Sequence, residues 1–176
     1  MGIDRLAAAV GANPLRRPET PAIVVDFGTA ITVDLVTAEG EFAGGAILPG
    51  LRMQARSLHQ GTASLPEITL ELEGASSQDA AGPIVPLGSR SPAAVGTSTE
   101  GAIAAGIYWG GVGAVRELIA RQSDRLVRRP QVFVTGSTSP EMARLLGSPE
   151  IAVRYIPHLV LSGLALAAGL PVERGQ

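Results

Sequence analysis

The segment from Asp26 to Asp34 (DFGTAITVD) combines the residue types and spacing with the clearest chemical meaning in this sequence. Asp26 ends a β-branched run, Gly28 lets the backbone turn tightly, and Thr29 offers a hydroxyl and an amide. The amides of such a hairpin can cradle a phosphate while a carboxylate holds a cation. An ordinary β-hairpin with an Asp-initiated turn is the alternative, and the second carboxylate at Asp34 weighs against it.

Four residues near the amino terminus, Gly2, Ile3, Asp4 and Arg5, form a second candidate site. A carboxylate beside a guanidinium at the start of a helix could serve as a base next to an anion clamp. A surface ion pair between the same two side chains is the alternative, and these four residues leave both interpretations open.

Glycines mark two further segments. Paired glycines open the segment from Gly44 to Gly50 (GGAILPG), which indicates backbone passing close to a ligand or to another part of the chain. The segment from Val132 to Gly136 (VFVTG) predicts a strand whose carboxyl end turns where open α/β sheets bind ligands. His59 and His158 have no ligand spacing, so they are predicted to be structural or surface residues.

Composition excludes several classes of protein. The 176 residues suit one domain, and they contain no cysteine and no lysine, which excludes thiolate metal sites and a phosphate loop that needs a lysine. A net charge of -2 argues against a nucleic-acid partner. The longest apolar run, Leu159 to Leu170, is shorter than the roughly 20 residues that span a bilayer. No signal peptide is visible, so we expect a cytoplasmic protein without a membrane partner.

The periodicity predicts an α/β fold with a mixed sheet that opens with a three-stranded meander and is flanked by helices. Residues 1–20 are predicted to be a helix and linker, and residues 21–176 one lobe with an exposed loop insertion at 74–92. The predicted strands are 22–26, 31–36, one ending near 47–48, 68–72, 131–135 and 151–155; the predicted helices are 3–10, 51–60, 98–121, 140–146 and 159–168.

The long predicted helix is rich in small residues, among them Gly106, Gly110 and Gly113. Each glycine inside a helix costs roughly 1 kcal/mol relative to alanine, so several together suggest a packing reason. A subunit interface and a tight crossing in the core are equally good explanations.

Taken in order, these segments resemble the type III pantothenate kinases, and the resemblance covers nearly the whole chain. It depends on several short motifs in register rather than on any single one. The matching segments are GIDR at 2–5, D-x-G-T-A-x-T-x-D at 26–34, GG-x-I-x-PG at 44–50, SLP at 64–66, ST at 98–99 with Ala102 and Gly106 behind it, VTG at 134–136, and P-x-L-x-L-x-GL at 157–164.

The resemblance implies two actin-like (ribonuclease H-like) lobes and the ATP-dependent phosphorylation of pantothenate to 4'-phosphopantothenate, the first step of coenzyme A biosynthesis. It also implies magnesium with the ATP, a monovalent cation (potassium or ammonium), and a homodimer with pantothenate near the subunit interface. By the same resemblance Asp4 is the general base, Gly2, Ile3, Asp4, Arg5 and Thr99 bind pantothenate, Gly28, Thr29 and Gly136 contact ATP, and Asp26 holds the monovalent cation.

Three departures from the family pattern affect this expectation. The sequence starts at the base motif, so the family's first lobe, with its D-x-G-N-T phosphate loop, is expected to be missing. The stretch 74–92 is longer than usual, and Ser137 stands where the family has a second glycine. The chain could be one subunit of a split two-chain kinase, a truncated product, or a non-catalytic ligand-binding or regulatory relative. Another actin-like small-molecule kinase is a further alternative.

Overall fold

The computed structural model describes residues 2–72, 83–87, 91–136, 140–147 and 151–171. Its elements follow the predicted order, with one additional strand. The strands are β1 (Ala22–Phe27), β2 (Ala30–Val36), β3 (Phe42–Pro49), β4 (Thr69–Leu72), β5 (Ile84–Leu87), β6 (Gln131–Gly136) and β7 (Val153–Tyr155); the helices are α1 (Ile3–Ala12), α2 (Leu51–Gly61), α3 (Thr99–Ser123), α4 (Pro140–Leu146) and α5 (Leu159–Ala167).

The main sheet has five strands in the order β3-β2-β1-β6-β7. The first three strands form an antiparallel meander, while β6 runs parallel to β1 and β7 runs parallel to β6. The predicted mixed sheet, its opening meander and its flanking helices are therefore confirmed. The carboxyl ends of β1 and β6 meet at one edge of the sheet.

Helices cover both faces of this sheet. Alternate side chains along each strand point to opposite faces, and apolar side chains occur on both, so both faces pack against helices. Val25 and Val33 pack with α2, α3 and α4 on one face. Val24, Val36 and Phe133 pack with α1 and α5 on the other face. The two hydrophobic clusters are separated by the sheet, so each helix belongs to a defined side.

Helices α1 and α5 pack against each other through two glycines. A Cβ atom added at Gly163 would collide with the carbonyl oxygen of Ala7, and one at Gly11 would lie 2.5 Å from the carbonyl oxygen of Leu159. The two backbones therefore approach more closely than any side chain would permit. This contact fixes α1 on the sheet.

Residues 84–87 correct part of the sequence prediction. They lie in the stretch predicted to be a loop, yet they form β5, which pairs in parallel with β4 from Thr69↔Ile84 to Leu72↔Leu87. Residues 73–82 and 88–90, as well as Ser137, lie outside the described residues. Among the residues that are described, no helix is long and apolar enough to cross a bilayer.

Candidate functional site

Three carboxylates face the side of the sheet that carries α1 and α5. Asp26 lies next to the end of β1, Asp34 lies within β2, and Asp4 is in the first turn of α1. Burial raises the pKa of Asp26, and the negative charges of Asp4 and Asp34 raise it further. Asp4 and Asp34 are therefore each within electrostatic reach of Asp26, as a shared site requires.

The end of β6 closes tightly over the Asp26 carboxylate. Gly136 pairs with Phe27 in the register of the parallel strands and has φ +96°, which favours glycine. A Cβ atom at Gly136 would collide with Oδ1 of Asp26 and with the carbonyl oxygen of Phe27. The structure thus places Gly136, which the sequence singled out, directly beside Asp26.

The turn between β1 and β2 is held by backbone hydrogen bonds. The Gly28 amide donates to the Ala30 carbonyl at 3.0 Å, and the Gly50 amide donates to the Thr29 carbonyl at 3.0 Å. A Cβ atom at Gly50 would collide with that carbonyl, whereas one at Gly28 would meet only ordinary contacts of 3.5 Å or more. Gly28 therefore lies in a tight turn, and the close approach of a second backbone segment to this turn is made by Gly50. Thr29 itself is exposed.

Helix α2 begins at this turn. Gly50 is its N-cap residue and provides no side-chain cap for the first amides. The unpaired amides at a helix amino terminus carry partial positive charge and can bind anions. The turn at Gly28 and Thr29 thus adjoins a second source of amides suited to phosphate.

Arg5 pairs with Asp34, not with the adjacent Asp4. Its Nε donates to both carboxylate oxygens of Asp34 at 3.0 and 3.1 Å, and its Nη2 donates to Oδ1. The guanidinium also lies 5.3 Å from the centre of the Phe42 ring. The hydrogen bond to Asp34 raises the pKa of Arg5, so this cation is fixed in place and permanently charged.

Gly45 explains one of the paired glycines. It lies opposite Asp34 in the β2–β3 register, and a Cβ atom there would collide with Oδ1 of Asp34 and the carbonyl oxygen of Val33. The sequence predicted close passage of the backbone past a ligand or another segment. The structure identifies the neighbour as Asp34.

Thr99 lies away from the three carboxylates of its own chain. It starts α3, on the face of the sheet opposite α1, and lines a groove of about 480 Å³ between α2 and α3 with Leu58 and Ile103. Gly111 of α3 contacts Leu51, at the start of α2. Thr99 lies about 18 Å from Gly111 along the axis of α3, towards the amino terminus of that helix. Within one chain, the structure does not bring Thr99 and Asp4 together.

Thr32 and Ile47 are matched positions of the family motifs to which sequence reasoning assigned no role, and they complete a row with Asp26. Asp26 pairs with Thr32, and Thr32 pairs with Ile47, so all three side chains point to one face. Thr32 is half-buried, and Ile47 is exposed although it is apolar. The period-two alternation along β2 was the signal that could have found Thr32.

The described residues bring few side-chain metal ligands together at one place. Among the described residues, no group of three or more Asp, Glu, His or Cys side chains is arranged to hold a metal ion. A cation at Asp26 would therefore need carbonyl or phosphate oxygens as well. The carbonyl oxygen of Phe27 lies close enough to Asp26 Oδ1 that both would collide with one added Cβ atom at Gly136.

A larger cavity, of about 640 Å³, lies at the opposite end of the sheet, where β1 begins and β2 ends. Pro21, Thr37 and Arg128 are among its lining residues. It contains none of the predicted site residues, so its size does not make it the candidate site.

The fold is that of a mixed α/β protein. Its candidate site lies where the parallel strands β1 and β6 end, which is a usual place for ligands in such sheets. Comparison with known proteins narrows this class. A family model described as type III pantothenate kinase matches residues 1–121. The chain belongs to the type III pantothenate kinase family.

Individual relatives agree with the family model. The chain is 41% identical over 168 residues to a type III pantothenate kinase of Alkalilimnicola ehrlichii, covering 96% of this chain and 58% of the relative. It is 38% identical to the type III pantothenate kinase of Gluconobacter oxydans, covering 96% of this chain and 54% of the relative. It is also 38% identical to that of Synechococcus elongatus, covering 93% of this chain and 58% of the relative. The chain thus spans little more than half the length of these relatives.

Proposed function

We propose that this chain provides part of the active site of an ATP-dependent pantothenate kinase, which forms 4'-phosphopantothenate. The observation that carries the proposal is the geometry on the α1 side of the sheet, where Arg5 ties the first turn of α1, with Asp4, to Asp34, and Gly136 closes against the carboxylate of Asp26. Family membership supports the substrate and the reaction. The meander, followed by the parallel strands β6 and β7, supports an actin-like lobe as the fold.

Asp4 is the general base in this proposal. An alcohol is a poor nucleophile, so a carboxylate within hydrogen-bond reach must accept its proton as the new P–O bond forms. Asp4 is exposed at the start of α1, where an alcohol can reach it from solvent. The other two carboxylates are more buried and suit other roles.

Arg5 binds the carboxylate of pantothenate together with the exposed Gly2 and Ile3. Asp34 uses Nε and Nη2 of the guanidinium, whereas Nη1 has no hydrogen bond to other described residues. A charged donor held in one orientation can bind a carboxylate at small entropic cost. The ion pair with Asp34 therefore prepares Arg5 for the substrate.

The turn at Gly28 and Thr29, with Gly136 at the end of β6, contacts ATP. The fold itself does not require glycine at Gly28, because a Cβ atom there would meet only ordinary contacts. The bare backbone at this position therefore suits close approach of a phosphate. Asp26 and the Phe27 carbonyl suit a monovalent cation, potassium or ammonium. Magnesium bound to ATP and a cation held at Asp26 would supply the positive charge that the transferred phosphoryl group needs.

A partner chain completes the site. The matched relatives are longer by roughly two fifths of their length, and the family resemblance assigns a phosphate loop to the lobe outside the match. We propose a split two-chain enzyme in which a separate polypeptide supplies that lobe. Thr99 then binds pantothenate in a second copy of this chain, because it starts α3, which covers the face of the sheet opposite α1 and Asp4.

Reconstitution tests this function. The chain is mixed with a candidate first-lobe polypeptide carrying D-x-G-N-T, and ADP release is followed with and without pantothenate. We expect release that depends on both chains and on pantothenate. Absence of turnover at every ratio of well-folded chains would contradict the kinase proposal. Turnover with a different alcohol but not with pantothenate would favour another actin-like kinase.

A non-catalytic ligand-binding protein is the second candidate, favoured by the glycine hairpin that follows Asp26. A hairpin such as Asp26 to Thr29 can hold an anion without a complete catalytic site. Calorimetry of the chain alone with ATP and with pantothenate separates the two proposals. Tight binding, with no turnover in any pairing, would favour this candidate.

A further inference from the structure

Tyr155 ends β7 at the same edge of the sheet as the candidate site. Strand β7 runs parallel to β6, which runs parallel to β1, so all three strands end at this edge. The Tyr155 hydroxyl lies 3.5 Å from the carbonyl oxygen of Gly136. Gly136 in turn packs against the carboxylate of Asp26, so closely that a Cβ atom would collide with it. An aromatic side chain thus borders the end of β6, beside the site.

The fold makes little use of the Tyr155 hydroxyl. Its 3.5 Å contact with the Gly136 carbonyl is at the long limit for a hydrogen bond, and the side chain is only half-buried. A phenol hydroxyl can both donate and accept, so this group keeps hydrogen-bonding capacity for a ligand. The other tyrosine, Tyr108, is 3% exposed, and its hydroxyl lies 3.2 Å from that of Ser91. Tyr108 therefore belongs to the core, whereas Tyr155 presents surface to a ligand.

The other side of the β1–β2 turn is already covered by protein. The Gly50 amide donates to the Thr29 carbonyl, and a Cβ atom at Gly50 would collide with the carbonyl oxygens of Gly28 and Thr29. A ligand whose phosphates lie at this turn therefore extends over the ends of β6 and β7 rather than over β3. Neighbouring strands are about 4.8 Å apart, so β7 lies roughly 10 Å from β1. The phosphates and the base of one nucleotide can span that distance.

We propose that Tyr155 contacts the nucleoside of ATP, with its ring packed against the base. Aromatic rings are common partners of bases, because the two flat surfaces stack. Phe27, the aromatic residue that ends β1, is only 3% exposed and cannot take this role. The inference rests on the proposed function, since it adds a base-binding residue to the ATP site at Gly28, Thr29 and Gly136.

Tyrosine labelling tests the contact directly. The chain contains two tyrosines, so protein labelled with ¹³C in the tyrosine rings gives two sets of nuclear magnetic resonance signals. The set that is missing from Tyr155→Phe belongs to Tyr155. Magnesium ATP at millimolar concentration should shift the Tyr155 signals and leave those of Tyr108 in place. Unshifted Tyr155 signals, or equal shifts of both residues, would overturn the proposal.

Inorganic triphosphate separates the base from the phosphates, because it carries the phosphate chain of ATP without the nucleoside. Tyr155→Leu keeps apolar bulk against the core but removes the ring, and circular dichroism verifies that the variant is folded. In calorimetry it should weaken ATP binding about tenfold and leave triphosphate binding unchanged. Equal losses for the two ligands, or an unchanged affinity for ATP, would overturn the proposal. Tyr108→Phe is the control and should change neither affinity.

The reconstituted kinase provides a kinetic test. Tyr155→Leu should raise the KM for ATP about tenfold and leave kcat and the KM for pantothenate near their wild-type values, because the base is bound equally before and during the reaction. A fall in kcat with an unchanged KM for ATP would assign Tyr155 a structural role and overturn the proposal. Absence of pantothenate turnover in the wild type would contradict the kinase function, whereas a shift of the Tyr155 signals by ATP would still support the contact with the nucleoside.

Discussion

Arg5 Nε lies 3.0 and 3.1 Å from the two carboxylate oxygens of Asp34, although 29 positions separate the residues in sequence. Asp34 is only 1% exposed, so this carboxylate has almost no access to water. The pair joins the first turn of α1 to the middle of β2. It therefore fixes the neighbouring Asp4 above the sheet, close enough to influence the pKa of Asp26.

The Arg5–Asp34 pair should be important for stability. Removing one partner of a buried pair leaves the other charge uncompensated, so Asp34→Ala should lower the free energy of unfolding by about 3 kcal/mol. Glu117→Ala is the control: it breaks a solvent-exposed pair with Arg121 and should cost far less. Urea unfolding measures both, and equal losses in the two variants would contradict the structural role.

Gly45→Ala should disturb the same pair indirectly. The added Cβ atom would collide with Asp34 Oδ1, so we expect a clear loss of stability of about 2 kcal/mol, typical of overpacking. Gly61→Ala is a matched control, because a Cβ atom at this last residue of α2 meets nothing within 4 Å and alanine favours the helix. A thermal midpoint that is lower for the control variant than for Gly45→Ala would contradict the collision between the added Cβ atom and Asp34.

Most of the elements could be predicted because local patterns specify them. The β-branched run from Ala22 to Asp26 and the alternation from Ile31 to Val36 were sufficient for β1 and β2. Strand β5 was missed because Pro86 and the surrounding Gly, Ser and Pro residues are typical of a loop. Its backbone pairs with β4, a long-range contact that no local pattern encodes.

The candidate site was predicted in part for the same reason. The motif at Asp26 and Thr29 and the glycine at Gly136 could be found from strand ends, and the fold does bring Asp26 and Gly136 together. The partner of Arg5 could not be found, because it depends on how α1 docks across the sheet. Nor could the sequence place Thr99 on the opposite face, since the face that a helix covers is set by the path of the chain.

Asp26→Asn should stabilise the chain at neutral pH while impairing turnover of the reconstituted kinase. Burial and two neighbouring charges raise the pKa of Asp26 above its ordinary 3.8, so its charged form disfavours the fold. The cost of burying this charge is absent at pH values below the pKa of Asp26 in the unfolded chain. It grows as the pH rises towards the higher pKa of Asp26 in the folded chain, and it is complete above that pKa. The gain in thermal midpoint over wild type should therefore shrink as pH falls from 7 to 4.

Asp124→Asn serves as the control for this pH series, because Asp124 is exposed and its variant should follow the wild type at each pH. A constant difference between Asp26→Asn and wild type from pH 7 to pH 4 would show that protonation of Asp26 is not responsible. A lower midpoint for Asp26→Asn at pH 7 would contradict the cost of the buried charge.

The small-residue surface of α3 should mediate the proposed homodimer. Gly106 and Gly110 are exposed, and a Cβ atom on either meets nothing within 4 Å, so the core does not require these glycines. Gly106→Arg should leave the thermal midpoint nearly unchanged but convert a dimer to a monomer in sedimentation analysis. Arg116→Ala is the control. Arg116 is also exposed on α3 but lies nearly three turns beyond Gly106, so this variant should remain dimeric. A Gly106→Arg variant that stays dimeric would exclude this surface.

Asp4→Asn should separate binding from chemistry. The amide keeps the size of the carboxylate but cannot accept the proton of the substrate alcohol, so turnover of the reconstituted kinase should fall about 10²- to 10⁴-fold. Pantothenate binding, measured by calorimetry on the same assembly, should change little because Arg5 remains paired with Asp34. Asp124→Asn should retain full turnover. Unchanged turnover in Asp4→Asn would remove Asp4 as the base, whereas loss of binding without loss of turnover at saturation would make it a substrate ligand only.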